Sequence, residues 1–147
     1  MSAPIVPVYM DPEELAVLVQ DPAKVPKKDY LVIDVRTTDY VGGHIPGGIN
    51  LPASQFYGFL EYINANFATV PLIVVHCALS QVRGPKSARI LTEYFQTRAR
   101  TTTGTAPALP QVKILRGGIT DWVAKYKDVP GMIEDFDAEL WESELMY

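Results

Sequence analysis

Val74-Val75-His76-Cys77-Ala78-Leu79-Ser80-Gln81-Val82-Arg83-Gly84-Pro85 is the stretch around which this chain is organised. The apolar run leading into it, Pro71-Leu72-Ile73-Val74-Val75, reads as a short buried strand. From Pro85 onward, Lys86-Ser87-Ala88-Arg89-Ile90-Leu91-Thr92-Glu93-Tyr94-Phe95 has helical spacing, with Pro85 starting the helix. The sole cysteine therefore sits at a strand-to-helix turn. Amides left unpaired at a helix start point into such a turn, and the aligned peptide dipoles favour negative charge there. Five residues separate Cys77 from Arg83, enough for the loop to curl round a tetrahedral oxyanion and return the guanidinium toward the thiol. A planar fork then holds two of the oxygens at once.

The field that binds an anion also favours the deprotonated thiol. A thiolate facing bound phosphate or arsenate is a nucleophile in place. The competing reading is an inert core cysteine; the spacing to Arg83 and the proline at the helix start argue against it. Ser80 either donates to the thiolate or stabilises the turn. Gly84 is expected to allow close approach of the chain. Lys86 and Arg89 read as solvated helix charges before they read as substrate attractors.

At 147 residues, with 48% hydrophobic and 20% charged side chains, the chain has the composition of a single folded domain with its own core. One cysteine excludes an intrachain disulfide, and with only two histidines a structural zinc site is not expected. The start, Met1-Ser2-Ala3-Pro4, has no basic region followed by a long apolar core, and no stretch approaches a membrane span. A reducing intracellular compartment, cytoplasm or nucleus, is the resulting expectation. All thirteen Lys and Arg lie in residues 1–127 beside ten Asp and Glu, a balance of +3, and residues 128–147 add seven acidic side chains and no basic one. A mildly cationic body suits an anionic ligand, while the acidic tail argues against a nucleic-acid surface. Oligomeric state is open.

Asp11-Pro12-Glu13-Glu14-Leu15 is a helix start with a capping aspartate, proline at the first helical position and acids in the first turn; the helix runs to about Gln20. Residues before it are extended at most. Tyr30-Leu31-Val32-Ile33-Asp34-Val35 is a near-continuous apolar strand, the pattern of a parallel sheet covered on both faces. Residues 37–52 hold four glycines and two prolines, too broken for a regular element apart from a turn of helix at Thr37–Tyr40. Ser54 to Ile63 is an aromatic-rich helix whose rings are expected in the core. Thr97 to Gln111 breaks the helical pattern and is either a lid over the substrate or a surface insertion. Val112-Lys113-Ile114-Leu115 is a strand, Arg116-Gly117-Gly118 a tight turn, and Ile119 to Tyr126 a short helix with Trp122 on its apolar face. The apolar residues of the tail suggest that it packs back on the body, with a short helix over Asp137–Glu144; a free acidic tail is the alternative.

Four separated motifs, Leu31-Val32-Ile33-Asp34-Val35-Arg36, Asp39-Tyr40-Val41-Gly42-Gly43-His44-Ile45-Pro46-Gly47-Gly48-Ile49-Asn50-Leu51-Pro52, the His76-Cys77 to Arg83 loop, and Leu115-Arg116-Gly117-Gly118-Ile119 with Trp122, resemble a rhodanese-type domain. The likeness spans residues 30–126 and is closest to the branch holding the mitotic-inducer phosphatases and the eukaryotic arsenate reductases, above all small plant and fungal members. It implies an α/β three-layer sandwich with a central, mostly parallel sheet. It also implies one catalytic domain over 1–147, with residues 128–147 as an acidic extension. Sulfurtransferases of this fold have a shorter active loop, so sulfur transfer ranks lower.

For a phosphatase, the resemblance implies that Cys77 attacks phosphorus while Arg83 and the amides of Ala78, Leu79, Ser80, Gln81, Val82 and Arg83 hold the equatorial oxygens. His76, Gly84 and Pro85 are supporting residues. Some mitotic-inducer enzymes carry acids immediately after the cysteine and immediately before the arginine, where this chain has Ala78 and Val82. Asp39 is a distant candidate for the missing acid, though capping a turn or satisfying loop amides is its simpler role. Asp34 and Arg36 are expected to secure the strand end, and His44 to be structural. The expected function is phosphate-monoester hydrolysis, phosphotyrosine included, through a phosphocysteine, without cofactor or metal and with phosphoproteins as partners. The alternatives are arsenate reduction completed by glutathione or glutaredoxin, and a phosphate-sensing or protein-interaction domain without turnover.

Overall fold

The apolar run at residues 31–34 forms β2 (Leu31–Asp34), and the run before Cys77 forms β4 (Leu72–His76). The two pair in parallel with Asp34 opposite His76. Neither run alternates with polar residues, so both faces of the pair are covered. Leu31, Ile33, Val35, Ile73 and Val75 enter one core cluster, while Tyr30, Val32 and Val74 enter the other. This computed structural model describes residues 8–101 and 108–145. Three further strands, β1 (Tyr9–Met10), β3 (Ile49–Asn50) and β5 (Gln111–Leu115), complete an all-parallel sheet of order β1-β5-β4-β2-β3.

Each face carries its own helices. Helices α2 (Phe56–Phe67) and α3 (Arg83–Thr101) cover the first with Leu60, Ile63, Leu91 and Phe95. On the second face α1 (Pro12–Gln20) brings Leu15, and α4 (Gly118–Tyr126) brings Ile119 and Trp122. The result is the expected three-layer α/β sandwich. A capping box at Asp11 and Glu14, with Pro12 in the first turn, starts α1 as its residues dictate. Among the described residues no helix is long and apolar enough to cross a membrane.

Several boundaries differ from the sequence expectation. The glycine-rich segment 37–52 contains β3, held to β2 by Asn50, whose amide donates to the carbonyls of Asp34 and Arg36 at 2.9 Å each. Residues 37–40 make a hydrogen-bonded turn, Tyr40 N to Thr37 O at 3.2 Å, rather than a turn of helix. A 3₁₀ turn at Ala53–Gln55 precedes α2, which runs on to Phe67 because Phe67 is buried with Ile63. Helix α3 continues past Phe95 to Thr101. The Arg98 guanidinium lies 5.6 Å from the ring of Tyr94, four residues earlier, and Arg98 and Arg100 in the last turn complement the helix dipole. Of the connection expected to be a lid or insertion, residues 102–107 lie outside the described residues.

The tail docks. Met132 and Trp141 are buried in the second core, and α5 (Ala138–Leu145) follows the Asp137 turn. Trp122 Nε1 donates to Met132 O at 2.8 Å, and Trp141 Nε1 to Gly42 O at 2.8 Å. The acids Glu134, Asp135, Glu139 and Glu142 remain exposed, so packing of the apolar residues costs no charge burial.

Candidate active site

β2 leads outward to β3, and β4 leads through α3 to β5 on the other side, so the chain parts between the carboxyl ends of β2 and β4. Open α/β sheets hold ligands at such a point. The loop leaving β4 places Cys77 there, 3% exposed. Its Sγ accepts hydrogen bonds from Ser80 N at 3.2 Å and Gly84 N at 3.3 Å. Two amide dipoles, one belonging to the first turn of α3, therefore point their positive ends at the sulfur. Ser80 has φ of +55°, a left-handed conformation that costs a non-glycine residue energy and turns its amide inward.

The loop surrounds a shallow cavity of about 180 Å³ lined by Cys77, Ala78, Leu79, Gln81, Val82 and Arg83. Ser80 lies behind this lining: its amide goes to the sulfur, and its buried hydroxyl has no hydrogen-bond partner among the described residues. Of the two roles the sequence leaves open for Ser80, donation comes from the backbone. Pro85 is the third residue of α3, whose first turn closes with Lys86 N on Val82 O at 3.0 Å, so the helix starts ahead of the proline. A Cβ on Gly84 would meet Cys77 N and His76 Cα at 3.4 Å, ordinary contact. The glycine is thus not required by close approach, and its contribution is the amide on sulfur. Lys86 and Arg89 are exposed on α3, outside the cavity lining.

Arg83 ends the loop and meets the loop that follows β2. Its Nη1 donates to Asp39 Oδ1 at 2.8 Å and its Nη2 to Asp39 Oδ2 at 2.6 Å. The hydrogen bonds from Arg83 hold the Asp39 carboxyl down at about 2, and the same carboxylate raises the basicity of Arg83. Asp39 Oδ1 also accepts from Thr37 N at 3.0 Å, the turn-satisfying role. Ionised, with both oxygens engaged, Asp39 has no proton to give, which removes it as the general acid.

Behind this pair, Arg36 and Asp34 do secure the strand end. Arg36 is 1% exposed; its Nη2 donates to Asp34 Oδ2 at 2.8 Å and to Gly43 O at 2.8 Å, and its Nη1 to Asp39 O and Val41 O at 3.3 Å each. One buried side chain thereby fixes residues 39–43. His76 Nδ1 lies 3.0 Å from Cys77 O; a carbonyl only accepts, so this nitrogen carries the proton. His44 stacks on Tyr40, and its backbone bridges to Glu134 in the docked tail.

The support that sequence reasoning missed is Gly118. At the start of α4, the amides of Ile119 and Thr120 donate to Cys77 O at 3.1 Å and Ala78 O at 3.0 Å. Gly118 has φ of +60°, and a Cβ there would overlap both carbonyls. The doubled glycine before an apolar helix is the signal that the sequence carries for it.

A parallel sheet with a cysteine-to-arginine loop at its carboxyl edge defines a rhodanese-like domain; the rhodanese-like family profile matches residues 11–125, and the chain belongs to that family. Among its relatives, the dual specificity phosphatase ibp1 of Schizosaccharomyces pombe is 35% identical over 112 residues, 70% of this chain and 81% of that protein. The CDC25-like phosphatase YCH1 of Saccharomyces cerevisiae is 28% identical over 144 residues, 90% of this chain and 93% of its own length. Among solved structures, an As-Sb reductase from Leishmania major superposes with a TM-score of 0.67 at 25% identity, covering 97% of this chain and 100% of that one. These relatives place the chain in the branch of the family that the Cys77 to Arg83 loop length suggests.

Proposed function

We propose that the chain is a cysteine-dependent phosphatase acting on phosphate monoesters, phosphotyrosine included, with the body and tail working as one domain. The observation that carries this reading is the Cys77 sulfur beside the cavity, with two amides aimed at it and Arg83 on the rim. The thiolate attacks phosphorus; an S–P bond forms as the bond to the ester oxygen breaks, and the leaving group departs with the electron pair. Water then attacks phosphorus, the S–P bond breaks, and inorganic phosphate leaves with the thiolate restored. In this reading Arg83 and the amides of Ala78, Leu79, Gln81 and Val82, residues that line the cavity, would hold charge on the equatorial oxygens, and Ser80, His76, Gly84 and Pro85 would support the loop. No cofactor enters these steps, and a free thiol needs a reducing compartment, cytoplasm or nucleus.

Among the described residues the expected acid positions supply no proton donor: positions 78 and 82 are apolar, and Asp39 is committed to Arg83. Aryl phosphates, which leave without full protonation, are therefore expected to react far faster than alkyl phosphates. Leu79 and Val82, 50% and 73% exposed, offer apolar surface for an aromatic ring.

The same want of a proton donor, together with the likeness to the As-Sb reductase, favours arsenate reduction as the second reading. Cys77 would displace water from arsenate. An external thiol, glutathione or glutaredoxin, would then attack the Cys77 sulfur, joining it in a mixed disulfide as arsenic takes two electrons and leaves as arsenite. A second external thiol would reduce that disulfide, since Cys77 is the only cysteine in the chain. A matched assay of wild type and Cys77→Ser separates the readings: aryl phosphate in one arm, arsenate with glutathione and glutaredoxin in the other. Cys77-dependent phosphate release without arsenite supports the phosphatase. Arsenite without phosphate release replaces it with the reductase, and oxyanion binding with neither product leaves a phosphate-sensing domain.

A further inference from the structure

The loops after β2 and β4 meet in one ion pair, and its geometry is asymmetric. Arg83 presents both terminal nitrogens to both oxygens of Asp39, an end-on fork that uses one N–H of each. A guanidinium has five N–H groups, so the Nε–H and one further N–H on each terminal nitrogen remain. Arg83 lines the cavity beside Cys77, and Asp39 does not. The carboxylate thus grips the arginine from outside the space that an oxyanion would fill. Cys77 acts on the same guanidinium as a further, smaller cause of its raised basicity. Asp39 is itself placed by the amide of Thr37 and, through its carbonyl, by buried Arg36.

We propose that Asp39 is the positioning residue of Arg83: it holds the guanidinium by its outer edge, leaves the remaining N–H groups for the oxyanion, and stays bound when the cavity fills. The proposal deepens the reading of Cys77 to Arg83 as an oxyanion site and rests on it. A long arginine side chain that is already oriented loses less freedom when the anion arrives, so affinity and orientation both gain. The opposite arrangement, in which Asp39 must release Arg83 before an anion binds, predicts the opposite sign.

The test uses the full chain and inorganic tungstate, a tetrahedral oxyanion whose binding is read calorimetrically without turnover, together with kcat/KM for an aryl phosphate. Asp39→Asn is expected to weaken tungstate binding and lower kcat/KM by about tenfold each, and Asp39→Glu to recover part of both. In an Arg83→Met background, Asp39→Asn is expected to change neither by more than about twofold, because its effect runs through the arginine. A merely structural role would persist in that background and would lower the thermal midpoint in step with activity. Tungstate binding by Asp39→Asn equal to or tighter than wild type, or a loss that persists without Arg83, overturns the proposal. Wild type that neither binds tungstate nor turns over removes the oxyanion reading and this proposal with it; wild type that binds while Asp39→Asn is indifferent removes this proposal alone.

Discussion

Gly118→Ala tests whether α4 holds the catalytic loop in register. A Cβ at this position falls 2.5 Å from Cys77 O, where real Cβ contacts are not found below 3.0 Å and become ordinary at 3.4 Å. The loop backbone would have to retreat by about 0.5–0.9 Å, since the obstructing atoms are carbonyls and not flexible side-chain ends. Alanine at φ of +60° adds about 1–2 kcal/mol of conformational cost. Weakening the two hydrogen bonds from Ile119 N and Thr120 N adds about 0.5–1.5 kcal/mol each. The expected loss of stability is thus about 2–5 kcal/mol, with a drop in kcat/KM of up to about a hundredfold, because the displaced atoms carry the nucleophile. Urea denaturation and aryl-phosphate kinetics read the two effects. Gly58→Ala is the matched control: it lies in α2 with nothing within 4 Å of the added carbon and is expected to stabilise by about 0.5–1 kcal/mol with unchanged kinetics. A Gly118→Ala protein with wild-type kcat/KM and stability would refute the account of α4 as the loop's support.

Arg36→Leu leaves Asp34 buried without its partner and three loop carbonyls without donors, so a loss of about 3–5 kcal/mol is expected in urea, large enough to unfold a marginal domain. Trp141→Phe keeps most of the buried ring but removes the bond to Gly42 O; about 1–1.5 kcal/mol should be lost, seen as a lower thermal midpoint. For pH, Asp39 titrates at about 2 against an ordinary 3.8, a depressed carboxyl whose contribution is full above its unfolded value and disappears as pH falls toward 2. Comparing urea midpoints at pH 5 and pH 2.5, wild type should lose more stability than Asp39→Asn; the gap will be small because the pair is partly solvated, and an equal loss in both proteins would contradict the ion pair.

What the sequence made legible is what is decided locally. Two apolar runs identify β2 and β4 because covering both faces of a parallel pair leaves no room for alternation, and one cysteine between such a run and a helix marks the site. The misreadings have a common physical origin in contacts between distant segments. Gly84 looked like the glycine required by close packing, yet its environment accommodates a Cβ, and the crowded position is Gly118, which faces a loop forty residues earlier in the chain. Adjacent glycines announce a turn, but which carbonyls that turn approaches is set by the register of β5 against β4. Helix α3 outruns its expected end where its last turns meet α2: Tyr94 OH donates to Glu61 Oε1 at 2.8 Å, and the Arg98 guanidinium lies 3.9 Å from the same carboxylate. Asp39 is the most instructive case. Its local pattern permits only a turn cap or a stray acid, and it is indeed bound to the amide of Thr37, but its charge is engaged by an arginine 44 residues away. That partnership exists because β2 and β4 are neighbours in the sheet, so their two outgoing loops face each other across the crevice. The order of the strands, rather than any motif, brings the carboxylate to the arginine.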